Sequence, residues 1–144
     1  MKDLGYKIKM LYITKQFKFC AAHKYWNDSW SHDKNFSIFG DDIKIHGHNY
    51  VLNVTITGPI NEDSGFIYDI QELKNIVNNN VISILDHSQI QEDIPWFVGK
   101  QPSTENLVQF IWDNIAPHIQ GKAKLYKIKL RETPTIFTEY FGPE

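Results

Sequence analysis

Three histidines in two stretches of the chain are spaced to bind one metal ion. His46 and His48 are separated by one residue, so on a β-strand both imidazoles point to the same side, about two residue rises apart. His23 ends another stretch of alternating apolar residues and falls on its apolar face. Three neutral imidazoles are the ligand set of a catalytic zinc with an open fourth position, whereas calcium and magnesium prefer oxygen ligands. The sequence therefore predicts a site for Zn²⁺ or another metal that prefers imidazole at these three residues, with ordinary core or surface histidines as the alternative.

The alternation that positions the histidines predicts two β-strands. The first runs over Leu11–His23, and Cys20 falls on the face opposite to His23, so its thiol should point away from the metal. The second runs from His46 to Thr57 and ends before Gly58-Pro59. The connection between the strands, Tyr25–Ile45, is long, aromatic and polar, and we expect it to be only partly ordered.

Two helices and two more strands are predicted after these. Asp69 resembles a helix cap before apolar residues at helical spacing, which are Ile70, Leu73, Ile76, Val77 and Val81. Pro102-Ser103 begins a second helix that Pro117 ends, with an apolar side of Leu107, Phe110, Ile111 and Ile115. The last strands are Ala123–Glu132 and Ile136–Phe141. The order ββααββ predicts an α+β domain, a four-stranded antiparallel sheet with two helices packed on one face.

Length and charge limit the classes of function. The chain has 144 residues, which predicts a single domain over 1–144, with residues 1–10 as a loosely attached extension. A net charge of -2, from 15 Lys+Arg and 17 Asp+Glu, argues against a nucleic-acid partner. The sequence has no apolar run long enough to span a bilayer, and its single cysteine excludes a disulfide framework. These features predict a cytoplasmic protein without a membrane or nucleic-acid partner.

Five short motifs together resemble one enzyme family over nearly the whole chain. They are Phe19-Cys20-Ala21-Ala22-His23, His46-Gly47-His48-Asn49-Tyr50, Leu85-Asp86-His87, Pro102-Ser103-Thr104-Glu105-Asn106 and Arg131-Glu132-Thr133. Their order and spacing resemble the 6-pyruvoyl-tetrahydropterin synthase family, whose bacterial branch is 6-carboxy-tetrahydropterin synthase of the queuosine pathway. Any one of these motifs alone would be weak, but the ordered set of five is specific.

The resemblance implies a fold, an assembly and a reaction. The implied fold is a T-fold, in which three sheets close into a barrel, so a homo-oligomer (trimer or hexamer) with sites between subunits is expected. The implied activity is a zinc-dependent lyase that converts 7,8-dihydroneopterin triphosphate to a pyruvoyl or carboxy tetrahydropterin. Zinc would be held by the histidines at positions 23, 46 and 48.

The resemblance also implies residues that bind the pterin ring. Glu132 ends a strand whose inner face is predicted to carry Tyr126, Ile128 and Leu130. A carboxylate that finishes an apolar face needs a partner, and in the family the matching glutamate accepts hydrogen bonds from the ring N–H and 2-amino group. Ser103, Thr104 and Glu105 begin a helix and would contact the ring as well. The alternatives are a solvated or ion-paired strand end for Glu132 and ordinary helix capping for the other three.

The expected proton relay lacks one of its members. In the family, a pair matching Asp86 and His87 works across the subunit interface with a cysteine that follows a Phe-Gly before His-Gly-His. Phe39-Gly40 is present, but Asp41 and Asp42 follow it. Asp42 is the nearest positional match, and a carboxylate can act as a base if its pKa is raised. The alternative is that both aspartates are solvated loop acids.

The substitution at this position leaves other functions open. Some relatives carry Glu nearby and are associated with side-chain cleavage to 6-hydroxymethyl-dihydropterin, the folate route. A pterin-binding homologue that has lost catalysis is a second rival. A purely structural metal module is a third, although three ligands without a fourth Cys or His argue against it. Lys24, Lys44 and Arg131 are candidates for the substrate phosphates, with solvated charges as the alternative.

Overall fold

A five-stranded sheet forms the centre of the protein. The computed structural model describes residues 10–144. The strands are β1 (Tyr12–His23), β2 (His46–Thr57), β3 (Ser88–Gln89), β4 (Lys124–Thr133) and β5 (Ile136–Tyr140). Their order across the sheet is β3-β1-β2-β4-β5, and β3 pairs with β1 in parallel whereas the other pairs are antiparallel. The α+β class is thus confirmed, but the expected sheet of four antiparallel strands is wrong, because a two-residue parallel strand extends it.

Alternation along β1 and β2 produces one buried face. Phe17, Phe19, Ala21 and His23 are buried on β1, and Tyr50, Leu52, Val54 and Ile56 are fully buried on β2. The bounds of β2 match those expected from the sequence, those of β1 and β5 differ by one residue at one end, and β4 is shifted by one residue at both ends. On β4 the register shifts opposite Thr55 and Ile56. This bulge buries Leu125 and leaves Tyr126 only partly buried, so the expected inner position of Tyr126 is wrong.

The helices begin where the sequence supplies capping side chains. Asp69 accepts a hydrogen bond from the backbone N–H of Gln71 at the start of α2 (Ile70–Val77). The chain continues through a π-helical turn, Asn78–Ile82, into α3 (Ser83–Leu85) and, after β3, into α4 (Ile90–Asp93). Ser103 caps α5 (Thr104–Ile115), which ends before a 3₁₀ turn containing Pro117. The two expected helices are therefore present, and the first is extended beyond Val77 by an irregular segment.

The long connection between β1 and β2 contains a helix that the sequence did not indicate. This helix, α1 (His32–Phe39), is capped by Ser31, whose hydroxyl accepts from the N–H of Lys34. The side chain of Asn35 is fully buried and its amide donates to the carbonyl oxygens of Asn27 and Ser31. A buried amide with satisfied hydrogen bonds holds this helix in place, so the part of the connection over 32–43 is regular structure.

Helices α2 and α5 supply the apolar layer against the buried face of the sheet. Leu73 and Val77 of α2 are fully buried, and so are Leu107 and Ile111 of α5. Burial of each such side chain contributes about 1.5–3 kcal/mol to folding. Within residues 10–144, no helix has the length and apolarity needed to cross a membrane. The expected loose extension over residues 1–10 lies, except for Met10, outside the described residues.

Candidate functional site

The three histidines converge at the end of the β1–β2 ladder. His23 faces His46 across the two strands, and Ala21 faces His48, so all three imidazoles share the buried side of the sheet. The ring centroids lie 4.6 Å apart for His23 and His46, 5.0 Å for His23 and His48, and 5.2 Å for His46 and His48. One nitrogen from each ring lies within 4.8 Å of the other two. The cluster thus has the composition and spacing of a site for one metal ion.

Backbone carbonyls orient two of the rings. His23 Nδ1 donates to the carbonyl oxygen of Pro102 at 2.7 Å, and His46 Nδ1 donates to that of Lys44 at 2.8 Å. A carbonyl oxygen can only accept, so Nδ1 carries the proton and Nε2 keeps its lone pair free. His23 Nε2 is buried without a hydrogen-bond partner, which is costly for a polar atom. Metal-binding histidines are commonly oriented in this way, and an ion at Nε2 would satisfy the buried nitrogen.

Burial favours the neutral form of two of the three imidazoles, those of His23 and His48. Desolvation lowers the pKa of His23 to about 4, and it also lowers the pKa of His48. The positive charge that His46 would carry adds to both effects. Neutral imidazole is the form that binds metal ions, so the lowered pKa values of His23 and His48 favour metal binding at these two residues.

Glu132 points into the same space from the end of β4. Its Oε1 lies 3.4 Å from Nε2 of His23 and 3.4 Å from Nε2 of His48, and its side chain is 12% exposed. Burial raises the pKa of Glu132, with further raising by Asp42 and Glu105 and an opposing effect of His46. A buried carboxylate in this position needs a cation or hydrogen-bond donors beside it. It can therefore hold a donor-rich ligand against the metal position.

The start of α5 contacts the histidine cluster through Pro102, the residue just before the helix cap. Pro102, which fixes His23, directly precedes the cap residue Ser103. Thr104 is buried, and its hydroxyl donates to Glu105 Oε1 at 2.7 Å while accepting from the hydroxyl of Thr138 at 2.8 Å. The negative charge of Glu105 is close enough to raise the pKa of Glu132. The structure therefore brings the predicted helix start next to the predicted carboxylate.

Two tyrosines in the site were not singled out from the sequence. The ring of Tyr25 lies 5.1 Å from that of His23, and burial together with Glu132 raises its pKa. The hydroxyl of Tyr50 is buried without a hydrogen-bond partner, and burial raises its pKa as well. Tyr50 shares the face of His48 by alternation, which is the signal that could have found it. Tyr25 lies beyond the end of β1, where alternation predicts nothing.

Asp42 lies beside the three-histidine cluster, in the loop where the family resemblance implies a cysteine. Its Oδ1 is 3.7 Å from His46 Nε2, and its side chain is 58% exposed. The N–H of Tyr25 donates to the backbone carbonyl of Asp42 at 2.9 Å, which anchors this 3₁₀ turn, Gly40–Ile43, to the end of β1. The carboxylate is thus within reach of both the histidine cluster and solvent.

Asp86 and His87 lie apart from the three histidines. Together with Cys20 they form a second group of close ligand atoms, on the outer side of β1. His87 Nδ1 is 3.0 Å from Asp86 Oδ2, and the N–H of Cys20 lowers the pKa of Asp86, as does His87. Alternation along β1 places Cys20 on the face opposite to His23, and its position beside Asp86 and His87 was not predicted from the sequence.

The candidate phosphate ligands are spread around the site. Arg131 donates to the carbonyl oxygen of Pro134 at 2.8 Å and lies over the ring of Phe137, so its guanidinium is engaged within its own hairpin. Lys44 is exposed, and Lys24 lines a cavity of about 590 Å³ that Lys100 also borders.

Comparison with known proteins gives consistent matches along the chain. A family model described as 6-pyruvoyl tetrahydropterin synthase matches residues 12–143. A protein named 6-pyruvoyl tetrahydrobiopterin synthase from Dictyostelium discoideum is 40% identical over 130 residues, which cover 90% of this chain and 95% of that protein. The Homo sapiens protein of the same name is 30% identical over 90% of each chain. A 6-carboxy-5,6,7,8-tetrahydropterin synthase from Bacillus subtilis is 31% identical over 67% of this chain and 68% of that protein.

Solved structures share the fold. The 6-pyruvoyl tetrahydropterin synthase of Caenorhabditis elegans superimposes with a TM-score of 0.87 at 27% identity, covering 94% of this chain and 97% of that one. The corresponding Plasmodium vivax structure has a TM-score of 0.66 at 18% identity and covers 92% and 97% of the two chains, which is a likeness of fold alone. The match in both comparisons extends over nearly the full length of the chain.

Proposed function

The chain belongs to the 6-pyruvoyl tetrahydropterin synthase family, whose named members are lyases of tetrahydropterin synthesis, and we propose that it is a zinc-dependent lyase of 7,8-dihydroneopterin triphosphate. Its product would be a pyruvoyl or carboxy tetrahydropterin. The observation that carries the proposal is the placement of three Nε2 donors and a buried carboxylate around one space. The zinc ion and the pterin ring would then lie within a few ångströms of each other.

The histidine cluster fits a resident Zn²⁺. His23, His46 and His48 would hold the ion, with the carbonyls of Pro102 and Lys44 maintaining the ring tautomers. Three protein ligands leave one position open for substrate. When bound, zinc would polarise the hydroxyl and carbonyl oxygens of the substrate side chain and make the adjacent C–H acidic.

Glu132 would orient the pterin. Its carboxylate would accept two hydrogen bonds from the ring N–H and 2-amino group, a geometry that suits a bidentate acceptor. Because Glu132 is nearly buried between the histidines and the start of α5, the ring edge would be held with little water around it. Ser103, Thr104 and Glu105 would line the same side, with Thr104 fixed by Thr138 and able to hold Glu105 in place.

Two groups would move the protons. Asp42, beside His46 and open to solvent, is placed to remove a proton near the metal position and pass it to water. Asp86 holds His87 Nδ1, which leaves Nε2 free on a ring whose side chain is 79% exposed. On this account the exposed His87 would serve a neighbouring subunit in a homo-oligomer, since it lies on the other side of the sheet from its own histidine cluster.

The aspartate at position 42 supports a second candidate reaction. A carboxylate base in this loop, instead of a thiol, is the feature associated with side-chain cleavage to 6-hydroxymethyl-dihydropterin. The position of Asp42, 3.7 Å from His46, is compatible with either product. A pterin-binding homologue without turnover remains the third candidate.

Product identification separates these functions. Zinc-loaded protein is incubated with 7,8-dihydroneopterin triphosphate and the pterins are analysed by mass spectrometry, with His48→Ala as the metal-deficient control. We expect a pyruvoyl or carboxy product that the control does not form. A hydroxymethyl product would select the second candidate. Tight binding of a pterin without any product from a protein of verified zinc content would reject the lyase.

A further inference from the structure

A thiol, a carboxylate and an imidazole meet on the outer side of β1. The ligand atoms of Cys20, Asp86 and His87 all lie within 4.8 Å of one another. The three residues are partly or largely open to solvent, with side-chain exposures of 37% for Asp86 and 79% for His87. Since alternation places Cys20 on the face opposite to His23, this cluster is separate from the three-histidine site.

The backbone holds the three residues together. The N–H of Cys20 donates to Asp86 Oδ1 at 3.0 Å, and the N–H of His87 donates to the carbonyl oxygen of Cys20 at 2.6 Å. Directly after His87, Ser88 pairs with Ala21 as the short parallel strand β3. These contacts attach residues 86–88 to β1 at Cys20, so backbone hydrogen bonds fix the spacing of the three residues.

His87 has a backbone conformation that supports a special role. Its φ is 63°, and it is the one non-glycine residue with a positive φ in the described part of the chain. Such a conformation costs on the order of 1 kcal/mol or more for a residue with a Cβ, and it persists where surrounding contacts enforce it. Here it directs the imidazole towards Asp86 and Cys20.

We propose that Cys20, Asp86 and His87 form a second metal site, for a thiophilic divalent ion of the Zn²⁺ type. Two ligands of one tetrahedral zinc are about 3.3 Å apart when each bond is about 2.0–2.1 Å. Asp86 Oδ2 and His87 Nδ1 lie 3.0 Å apart in a hydrogen bond, so an ion bound by both atoms would displace the Nδ1 proton. The thiol would approach by a change of rotamer and lose its proton to solvent as the ion binds.

The surroundings suit an exchangeable ion with an open position. A cavity of about 400 Å³ is lined by Cys20 and His87, and also by Gly47 and His48, so it leaves room for a water or an external ligand beside the cluster. Asp86 Oδ1 remains bonded to the N–H of Cys20 and would orient the ligating oxygen. An ion here would withdraw Asp86 and His87 from any proton transfer. The site itself does not depend on the proposed lyase activity.

Cobalt spectroscopy can distinguish the two metal sites. Cys20 is the single cysteine of the sequence, so a thiolate-to-Co²⁺ charge-transfer band can come from no other residue. The full chain is stripped with a chelator and titrated with Co²⁺. We expect this band in the wild type, and we expect His48→Ala to retain it while losing the ion held by the three histidines.

Variants of Cys20, Asp86 and His87 test whether these three residues bind the ion. Cys20→Ser should abolish the band and one equivalent of bound Co²⁺, and Asp86→Asn and His87→Ala should each weaken the band-forming affinity at least about 10-fold. Glu92→Gln, an exposed carboxylate outside the cluster, serves as the control. A wild type saturated with Co²⁺ that shows no band would overturn the proposal. A band of unchanged affinity in both Asp86→Asn and His87→Ala would also overturn it, because the thiol would then bind the ion alone.

Discussion

Replacing Glu132 by glutamine tests the pterin anchor directly. The substitution keeps the shape of the side chain but turns one carboxylate oxygen into an NH₂ donor. Glu132 is 12% exposed and lies 3.4 Å from two imidazole nitrogens, so the amide has little room to turn towards water. In the proposed complex it would present a donor to a ring edge that also carries donors.

The size of the effect follows from the lost hydrogen bond. A hydrogen bond to a charged group contributes about 1.5–3 kcal/mol, and a buried donor left without an acceptor costs a similar amount. Since about 1.4 kcal/mol corresponds to a tenfold change in Kd, Glu132→Gln should weaken pterin binding by at least about 10-fold and up to about 150-fold. Zinc content should stay the same, because the three histidines are unchanged.

Calorimetric titration with sepiapterin or biopterin measures this change. Zinc is determined by elemental analysis on the same samples. Glu139→Gln is the matched control, since Glu139 is paired with Lys127 on the edge hairpin and is 37% exposed. Unchanged pterin affinity in Glu132→Gln would refute the anchoring role. Loss of zinc would show instead that Glu132 is a metal ligand, which its distance from two Nε2 atoms allows.

The remaining predictions address the metal, the base, the helix cap and the assembly. His48→Ala removes one of three nitrogen donors and should lower zinc affinity by orders of magnitude in a competition titration, so a fully zinc-loaded variant would exclude the site. Asp42→Asn should retain zinc and pterin binding while the single-turnover rate falls about 10²–10⁴-fold. A rate equal to that of the wild type would show that Asp42 is a solvated loop residue without a role as a base. Ser103→Ala removes the cap of α5 and should lower the free energy of unfolding by about 0.5–2 kcal/mol in urea denaturation; no loss would contradict the capping role. Sedimentation should detect an oligomer, because β3 and β5 leave two sheet edges uncovered, and a monomer at micromolar concentration would contradict sites shared between subunits.

The periodicity of apolar residues was sufficient to predict which side chains are buried wherever one side of an element faces the core. The buried faces of β1 and β2 follow from strict alternation, and so does the convergence of His23, His46 and His48 on one side of the sheet. The caps Asp69 and Ser103 begin the helices that the sequence indicated. These features depend on local chemistry, because side-chain direction in a strand and capping at a helix start are set by residues a few positions apart.

Features that depend on a specific hydrogen bond or on strand register, and not on a periodic side-chain pattern, could not be predicted. Helix α1 is stabilised by the buried side-chain amide of Asn35. In the sequence this residue cannot be distinguished from an ordinary polar loop residue. The bulge on β4 displaces Tyr126 from the inner face, although simple alternation places it there. In the first case a side-chain amide bonds to backbone carbonyls and in the second the strand register shifts, and neither event leaves a periodic pattern in the sequence.

The sequence by itself determined the ligand types and the face of the sheet on which the three histidines lie, because a period of two along a strand leaves no other choice. Only the tertiary structure decided what surrounds them. It placed the carbonyl of Pro102 against His23, 79 residues away in sequence, and the carboxylate of Glu132 against two imidazoles. It also joined Cys20 to Asp86 across 66 residues. These distances result from packing of the whole chain, since contacts between remote segments form only when the common core brings both segments together.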